Sequence, residues 1–197
     1  MKRFYIIVLL VSAIFLYPQR TEAQEYSKEI SISWAGTPLG DEETLLPYGE
    51  YLQLYDNPLE YMFSQYDGPT YMTGNIIAEI GFLKRKRWSF SVAVAANGIW
   101  KDCYDPLTDA KIGRSSGFSV TVMPQWRFYW KNNDLVKLYS SVGLGLSVGS
   151  FDDKTQSYGS FQLGLLGFQI GRRFFVFGEG GCGFLYMGGR FGVGYRF

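Results

Sequence analysis

The segment GRFGVGYRF at residues 189–197 decides the fold, because bulky apolar residues alternate in it with glycine or arginine without a break. In a strand, residues of the same parity share one face. The residues on the apolar face are Phe191, Val193, Tyr195 and Phe197. As an open sheet edge in water, such a strand would invite aggregation. In a closed barrel whose outer face lies in lipid, every backbone group is paired and that hazard disappears.

The amino-terminal residues have the composition of a secretory signal. A basic pair at residues 2–3 precedes an apolar stretch from Phe4 to Tyr17, and Ala23 suits the position before a signal-peptidase site. The apolar stretch is shorter than the about 20 residues that a spanning helix needs, which disfavours a membrane anchor. We predict that residues 1–23 are a signal peptide and that residues 24–197 form one barrel domain.

The composition after the signal favours thin strands over a soluble core. Aromatic residues make up 18% of the chain, and glycine is abundant at 24 residues. No run of 18 apolar residues follows the signal, so we predict no transmembrane helix. A net charge of +1 offers no general attraction for nucleic acid, and no nucleic-acid partner is expected.

Period-two alternation predicts eight strands, and we interpret the fold as all-β, an eight-stranded antiparallel up-and-down transmembrane β-barrel. The predicted strands are Glu29–Ala35, Thr73–Phe82, Trp88–Trp100, Gly117–Trp130, Val136–Val148, Ser160–Gly171, Phe174–Phe184 and Gly189–Phe197. In the sixth of them the apolar residues change parity after Leu165, which predicts a β-bulge near that residue.

The predicted connections alternate in length through most of the chain. The longer ones are 36–72, 101–116 and 149–159, and this pattern is typical of barrels with short periplasmic turns and longer outer loops. A soluble lipocalin-like barrel is the distant alternative, and it would need its bulky apolar face inside. Here the face opposite the apolar one consists of Ser, Thr, Gly, Gln and charged residues. This favours a barrel with its apolar face outside.

With the signal, the alternating strands and the ending GVGYRF, the chain resembles the small outer-membrane β-barrels of Gram-negative bacteria. The similar group is the OmpA/OmpX-like one, in particular its Bacteroidota members. The resemblance implies a monomer in the outer membrane, in contact with outer-membrane lipid and lipopolysaccharide. It also implies that Tyr195 and Phe197 form the signal for the barrel-assembly machinery. Members range from structural proteins to adhesins, so the resemblance does not fix a task.

The sequence argues against catalysis. It contains no histidine, which removes the base of a Ser-His site and the imidazole ligands of a metal centre. The two cysteines are far apart and do not make a zinc site. Paired carboxylates in the first loop would suit a hydrolase, but no spacing fixes a pair. We expect no enzyme activity, no catalytic residue, no cofactor and no metal centre.

The predicted loop 36–72 is acidic and rich in tyrosine, a residue that binding loops favour for its large face and its hydroxyl. It suits recognition of an extracellular protein or glycan, and equally an aromatic belt with a self-packed loop. Its carboxylates also suit Ca²⁺ or Mg²⁺, but no ligand spacing supports that over simple solubility. The candidate recognition residues are Asp41, Glu42, Glu43, Glu50, Tyr51, Tyr55, Glu60, Tyr61, Tyr66 and Asp67.

Five charged residues fall on the predicted inner face: Glu79, Arg127, Lys137, Glu179 and Arg196. Buried charges are costly unless paired, so we expect Glu79 to pair with Arg127 and Glu179 with Arg196. Eight strands leave an interior that side chains fill, which predicts a plugged barrel. The sequence thus favours a non-enzymatic outer-membrane barrel with a structural or surface-interaction role in its first loop. A small porin for solutes or ions is the alternative.

The two cysteines lie in segments that are not neighbours in a simple meander. Cys103 falls in the predicted second outer loop, and Cys182 falls near the outer end of the seventh strand. An oxidising compartment would permit a disulfide, but its geometry requires close Cα atoms. Two thiols are the favoured interpretation.

Overall fold

A computed structural model describes residues 28–36, 38, 66–85, 87–105, 107–151 and 154–197 of the chain. The predicted signal peptide and most of the predicted first loop lie outside these residues. The described part contains no helix that is long and apolar enough to span a membrane. Its strands are β1 (Lys28–Ala35), β2 (Tyr66–Met72), β3 (Asn75–Arg85), β4 (Trp88–Tyr104), β5 (Lys111–Asn132), β6 (Val136–Phe151), β7 (Lys154–Ile170), β8 (Phe174–Gly183) and β9 (Gly188–Arg196).

The strands form one closed antiparallel ring. β1 completes it, because Ile32 pairs with Ala78 of β3 on one side and with Val193 of β9 on the other. The remaining neighbours follow the chain order from β4 to β9. The prediction of a closed eight-stranded antiparallel barrel is confirmed. We call each of the eight strand positions around the ring a stave, and β2 and β3 together occupy one of them.

A break at Thr73 and Gly74 divides that stave. β2 and β3 both pair with β4, with Met72 opposite Ile99 and Ile76 opposite Ala96. Gly74 has a φ of 75°, in the left-handed region that favours glycine. The sequence-based prediction began this strand at Thr73 and did not include β2, because the break interrupts the alternation of apolar and polar residues.

The turns divide between two ends of the barrel. We call the end where β4 connects to β5, β6 to β7 and β8 to β9 the upper end. At the lower end, β3 connects to β4, β5 to β6 and β7 to β8, and β1 begins and β9 ends there. This division follows from the antiparallel order of the strands.

The predicted connection 101–116 is wrong in extent. β4 continues to Tyr104 and β5 begins at Lys111, so most of this segment is a β-hairpin, and Cys103 lies in a strand rather than a loop. Backbone pairing does not need an apolar face. Because the residues here are polar on both faces, alternation could not reveal the strands.

The other two long connections are also shorter than predicted. β6 extends to Phe151 and β7 begins at Lys154, in place of a connection at 149–159. The predicted loop 36–72 includes β2, so its last seven residues form a strand. The upper halves of these strands lack the apolar period that marks the rest of the barrel.

One side of the barrel rises above the other at the upper end. β4 and β5 contain 17 and 22 residues, whereas β1 and β9 contain 8 and 9. The hairpin from Ile99 to Gly117 pairs with β2 on one side, and we call these three segments the projecting sheet. Among the described strands, neither β1 pairs with β2 nor β6 with residues 111–116. Within the described strands, the projecting sheet thus has no paired neighbour beyond β2 on one side or beyond residues 111–116 on the other.

The two faces of the barrel wall differ in polarity. The outer face carries exposed Ile, Leu, Val, Phe and Trp side chains on every stave, for example Ile32, Leu146 and Phe191. Among the described residues, more polar or charged side chains than apolar ones are buried. This distribution is the reverse of that in a soluble protein with a dry core.

The predicted bulge in the sixth predicted strand is confirmed. β7 changes register against both neighbours, between Gly164 and Leu166 on the β8 side, while the hydroxyl of Ser140 on β6 donates to the carbonyl of Leu165 at 2.6 Å. Leu165 and Leu166 are both exposed on the outer face. The bulge thus keeps apolar residues outside on both halves of β7.

We predict that Gly74→Ala lowers the free energy of unfolding by about 1–3 kcal/mol, because it combines left-handed backbone strain with overpacking. An added Cβ would lie 2.5 Å from the carbonyl oxygen of Ala35 and 2.9 Å from the indole nitrogen of Trp34. Gly113→Ala is the matched control, since nothing lies within 4 Å of its Cβ position. Denaturant titration of both variants measures the difference, and equal stability would contradict the assigned strain.

Candidate functional site

The interior of the barrel contains a network of paired charges, and we describe it as the candidate site. It combines three carboxylates with three guanidinium groups, each no more than 4% exposed. The members are Glu29, Glu79, Arg127, Glu179, Arg190 and Arg196. They come from β1, β3, β5, β8 and β9, so the network spans the interior from one wall to another.

Arg127 is the crossing point of the network. Its Nη1 donates to Glu29 Oε1 at 2.7 Å, and its Nη2 donates to Glu79 Oε1 at 2.5 Å. The expected pairing of Glu79 with Arg127 is present. The aromatic ring of Tyr139 lies 5.0 Å from the guanidinium carbon, close enough for a cation–π contact. One side chain of β5 thus holds both β1 and β3.

Glu179 pairs with Arg190, so the expected pairing of Glu179 with Arg196 is wrong. Nε and Nη2 of Arg190 donate to Glu179 Oε2 at 3.1 and 2.7 Å, and Nη2 lies 3.3 Å from Glu79 Oε2. The reason is register, because Arg190 lies directly opposite Glu179 on the neighbouring strand. The parity of β9 could have identified Arg190, since it shares the inner face with Arg196.

Arg196 instead lies opposite Glu29, and its Nε donates to Glu29 Oε2 at 3.3 Å. Its Nη2 donates to Gln169 Oε1 at 2.6 Å, and the ring of Phe175 lies 4.0 Å from its guanidinium carbon. Glu29 was missed as an interior residue, although the outward side chain of Ile30 places its neighbour inside. Sequence reasoning counted Glu29 as the start of a strand without assigning its face.

The carboxylate of Glu179 has further hydrogen bonds. The hydroxyl of Tyr139 donates to its Oε2 at 3.1 Å, and the hydroxyl of Ser141 donates to its Oε1. Gly164 provides the space for this group, because a Cβ there would collide with the Glu179 carboxylate. In the same way, the ring of Tyr139 lies against Gly167. Glycine on the inner face of β7 is therefore required by its large neighbours.

Lys137 is also buried, in the lower part of the interior. Its ammonium group lies 5.6 Å from the centre of the Tyr129 ring. The hydroxyl of Ser89 donates to the Tyr129 hydroxyl at 3.1 Å. All five charged residues assigned to the inner face by sequence are thus buried inside the barrel. Three more charged residues of the described part are also buried: Glu29, Lys131 and Arg190.

The upper half of the interior is closed by the turn at 184–187, which folds into the barrel. Leu185 and Tyr186 are fully buried. The amide oxygen of Gln162 accepts from both of their backbone nitrogens, at 3.0 and 3.3 Å, and Asn75 Nδ2 donates to the carbonyl of Leu185 at 2.6 Å. Leu185 and Tyr186 belong to an apolar cluster with Ala35, Ile77, Ala93, Ala95 and Met123.

The predicted recognition loop is described only at its end. Tyr66 and Asp67 lie in β2, where they pair with Tyr104 and Cys103 of β4. The other eight candidates lie outside the described residues: Asp41, Glu42, Glu43, Glu50, Tyr51, Tyr55, Glu60 and Tyr61.

The remaining predicted positions lie on the barrel wall. Tyr195 is on the outer face of β9, with its ring centre 4.8 Å from that of Phe174 and 6.2 Å from that of Phe197. Cys103 is buried and Cys182 is exposed, and the two are not joined by a disulfide. Within the ranges that the structure describes, no three Cys, Asp or Glu side chains are placed to hold a metal ion.

The chemistry of the network is structural. Each of its three carboxylates contacts at least one arginine, and the six side chains are shielded from solvent. Such pairs offset part of the cost of removing charges from water. Three buried atoms of the network have no hydrogen-bond partner: Glu79 Oε2, Arg127 Nε and Arg190 Nη1. The arrangement therefore ties the staves together rather than presenting a group to a substrate.

We predict that Arg127→Met destabilises the folded barrel by about 3–5 kcal/mol, because it leaves Glu29 and Glu79 buried with fewer partners. Arg114→Met is the matched control, since Arg114 forms an exposed pair with Asp102 on the projecting sheet. We expect little change in the control, as exposed ion pairs contribute little. Denaturant titration compares the two variants, and a loss of equal size in both would refute the structural role of Arg127.

A scan against protein-family models finds no match for this chain. A search of curated proteins likewise finds no significantly similar sequence. Its function is therefore inferred from its fold, the chemistry of its interior and the pattern of its outer surface.

Proposed function

We propose that this chain is a non-enzymatic β-barrel protein of the outer membrane of a Gram-negative bacterium, formed after removal of residues 1–23. Its role is either structural or a surface interaction, and the residues that carry this role lie at the upper end of the barrel. The observation that carries the proposal is the reversed polarity of the wall, with apolar side chains outside and paired charges inside. In water this wall would expose far more contiguous apolar surface than soluble monomers do.

The height of the apolar band supports a membrane location. From Phe118 to Phe128, β5 rises about 33 Å along its own axis. With the usual strand tilt of barrels, this corresponds to about 25 Å along the barrel axis, the height of a lipid-facing band.

Aromatic pairs mark both limits of this band. Trp88 with Phe128, and Phe174 with Tyr195, lie at the lower end with ring centres 4.8 Å apart in each pair. Trp34 and Phe191 lie toward the upper end, 5.6 Å apart. Aromatic girdles at both interfaces are typical of outer-membrane barrels.

The filled interior supports a role other than conduction. Arginine and glutamate side chains cross the interior below Leu185 and Tyr186, which fill its upper part. A small porin would need a continuous polar path, so we do not adopt that alternative. Structural and surface-interaction roles both suit a filled barrel.

The projecting sheet supports a surface interaction. Its β2 edge continues directly from the acidic, tyrosine-rich connection at 37–65, and backbone edges pair with extended segments of partner proteins. On the sheet itself, Tyr71 and Trp100 stack with ring centres 6.2 Å apart. The proposed partner of the projecting sheet is an extracellular protein or glycan. The outer wall contacts lipid and lipopolysaccharide, and Tyr195 and Phe197 are recognised by the barrel-assembly machinery.

The membrane location predicts a specific cost for charge on the wall. Leu146 is exposed on β6 opposite Val122, which lies midway between Phe118 and Trp126 on β5. We expect Leu146→Arg to lower the stability of the barrel in lipid vesicles by about 2–4 kcal/mol, since arginine near the bilayer midplane is costly.

Ile112→Arg is the control for this experiment, because Ile112 is exposed on the projecting sheet, beyond the proposed band. It should leave stability nearly unchanged. A soluble barrel would tolerate both substitutions equally, so equal effects, or recovery of the wild-type protein from the soluble fraction without detergent, would contradict the proposal. Gel electrophoresis with and without boiling reports folding in each case, because a folded barrel migrates differently unless it is boiled.

The surface-interaction role predicts that deletion of residues 41–64 reduces adhesion to host cells or to an immobilised glycan array. This deletion leaves β2 intact, so the barrel should fold and remain heat-modifiable. The control replaces the same residues with a Gly-Ser linker of equal length, which should be equally deficient. If a folded deletion variant adheres as well as the wild type, the surface-interaction role is contradicted and the structural role is the one that stands.

A further inference from the structure

The outer wall carries a continuous apolar groove across β8, β9 and β1. Its lower part has a volume of about 660 Å³ and lies among Ile30, Ile80, Ile170, Phe174 and Tyr195. Its upper part, of about 640 Å³, lies among Trp34, Ile76, Phe168 and Phe191. Ile32, Val176 and Val193 line both parts, so the two form one track along the wall.

The depth of the groove follows from side-chain size. Val193 pairs with Ile32 on one side and with Val176 on the other, which places three aliphatic side chains in a row as the floor. Aromatic rings flank this row, with Phe174 below and Phe191 above. A narrow apolar track of this kind fits a flexible hydrocarbon chain, whose burial is favourable along its whole length.

The lower end of the groove is basic. Lys28 begins β1 two residues before Ile30, and Arg172 and Arg173 form the turn directly before Phe174. All three side chains are exposed. Of the acidic residues in the described part of the chain, Asp134 is the one in a lower turn. The apolar track therefore ends beside three exposed basic side chains.

Backbone pairing holds these basic residues close together. The backbone nitrogen of Lys28 donates to the carbonyl of Phe197 at 3.3 Å, and that of Arg196 donates to the carbonyl of Arg173 at 2.8 Å. Lys28 and Arg173 thus lie two strand spacings apart, or about 10 Å. From inside the barrel, Arg196 Nη1 donates to the carbonyls of Gly171 and Arg172, at 2.8 Å each, and fixes the turn.

We propose that the groove and its basic end form a site for one anionic phospholipid. The phosphate lies among Lys28, Arg172 and Arg173, because charge-assisted contacts to phosphate are strong. An acyl chain runs from the lower part of the groove to its upper part and crosses the row of Val176, Val193 and Ile32, which line both parts. The proposal rests on the membrane location proposed above, and the selectivity for net negative charge is the new element.

The test uses the full-length mature barrel, folded in detergent micelles with equal amounts of phosphatidylglycerol and phosphatidylcholine that carry the same acyl chains. Native mass spectrometry then identifies the lipids that each barrel retains. We expect one phosphatidylglycerol per barrel to be retained in preference to phosphatidylcholine.

Two variants test the two halves of the site. In the triple variant Lys28→Gln, Arg172→Gln, Arg173→Gln, the preference for phosphatidylglycerol over phosphatidylcholine should fall about fivefold for each basic residue removed. Val193→Trp, which keeps the charge and fills the floor, should lose the retained lipid. The charge-matched control is Arg87→Gln, Lys111→Gln, Arg114→Gln, whose side chains are exposed away from the groove; it should retain the preference.

Several outcomes would overturn the site. Equal retention of both lipids by the wild type would do so, as would an equal loss in the control triple variant. Displacement of the phosphatidylglycerol by free glycerol phosphate would assign the basic end to a soluble phosphate instead. Failure of the proposed membrane location is recognised separately, because the wild-type barrel would then be soluble without detergent and not heat-modifiable.

Discussion

Arg127 reaches across the interior to carboxylates on β1 and β3, and this contact joins the strand that closes the ring to the opposite wall. β1 is the shortest of the staves, with 8 residues, and it completes the barrel between β3 and β9. Its inward Glu29 is held by Arg127 from across the barrel and by Arg196 from the adjacent strand. The closing stave is thereby fixed by ion pairs from two directions as well as by its backbone hydrogen bonds.

The same contacts fix the register of the wall. Shifting a strand by one residue would move its inner side chains to the outer face. For β1, this would expose the carboxylate of Glu29 to lipid in the proposed membrane and bury Ile30 beside Arg196. The polar interior and the apolar exterior therefore both disfavour a one-residue shift of β1.

The sequence predicted strand positions well where the two faces of a strand differ in polarity. Alternation identified the outer face of β9 and the parity change at Leu165, because apolar and small residues separate cleanly there. It failed at residues 101–116, where both faces are polar and only backbone pairing defines the strands. Partner assignment failed for a different reason: Glu179 pairs with Arg190 through cross-strand register, which residue type alone does not specify.

The inward fold of residues 184–187 has a consequence for assembly. The β8–β9 hairpin supplies the buried Leu185 and Tyr186 as well as Arg190 and Arg196. Without this hairpin, Glu29 and Glu79 would keep Arg127 of β5 but lose their contacts with Arg196 and Arg190. The hairpin that completes the ring therefore also completes the charge network and fills the upper part of the interior.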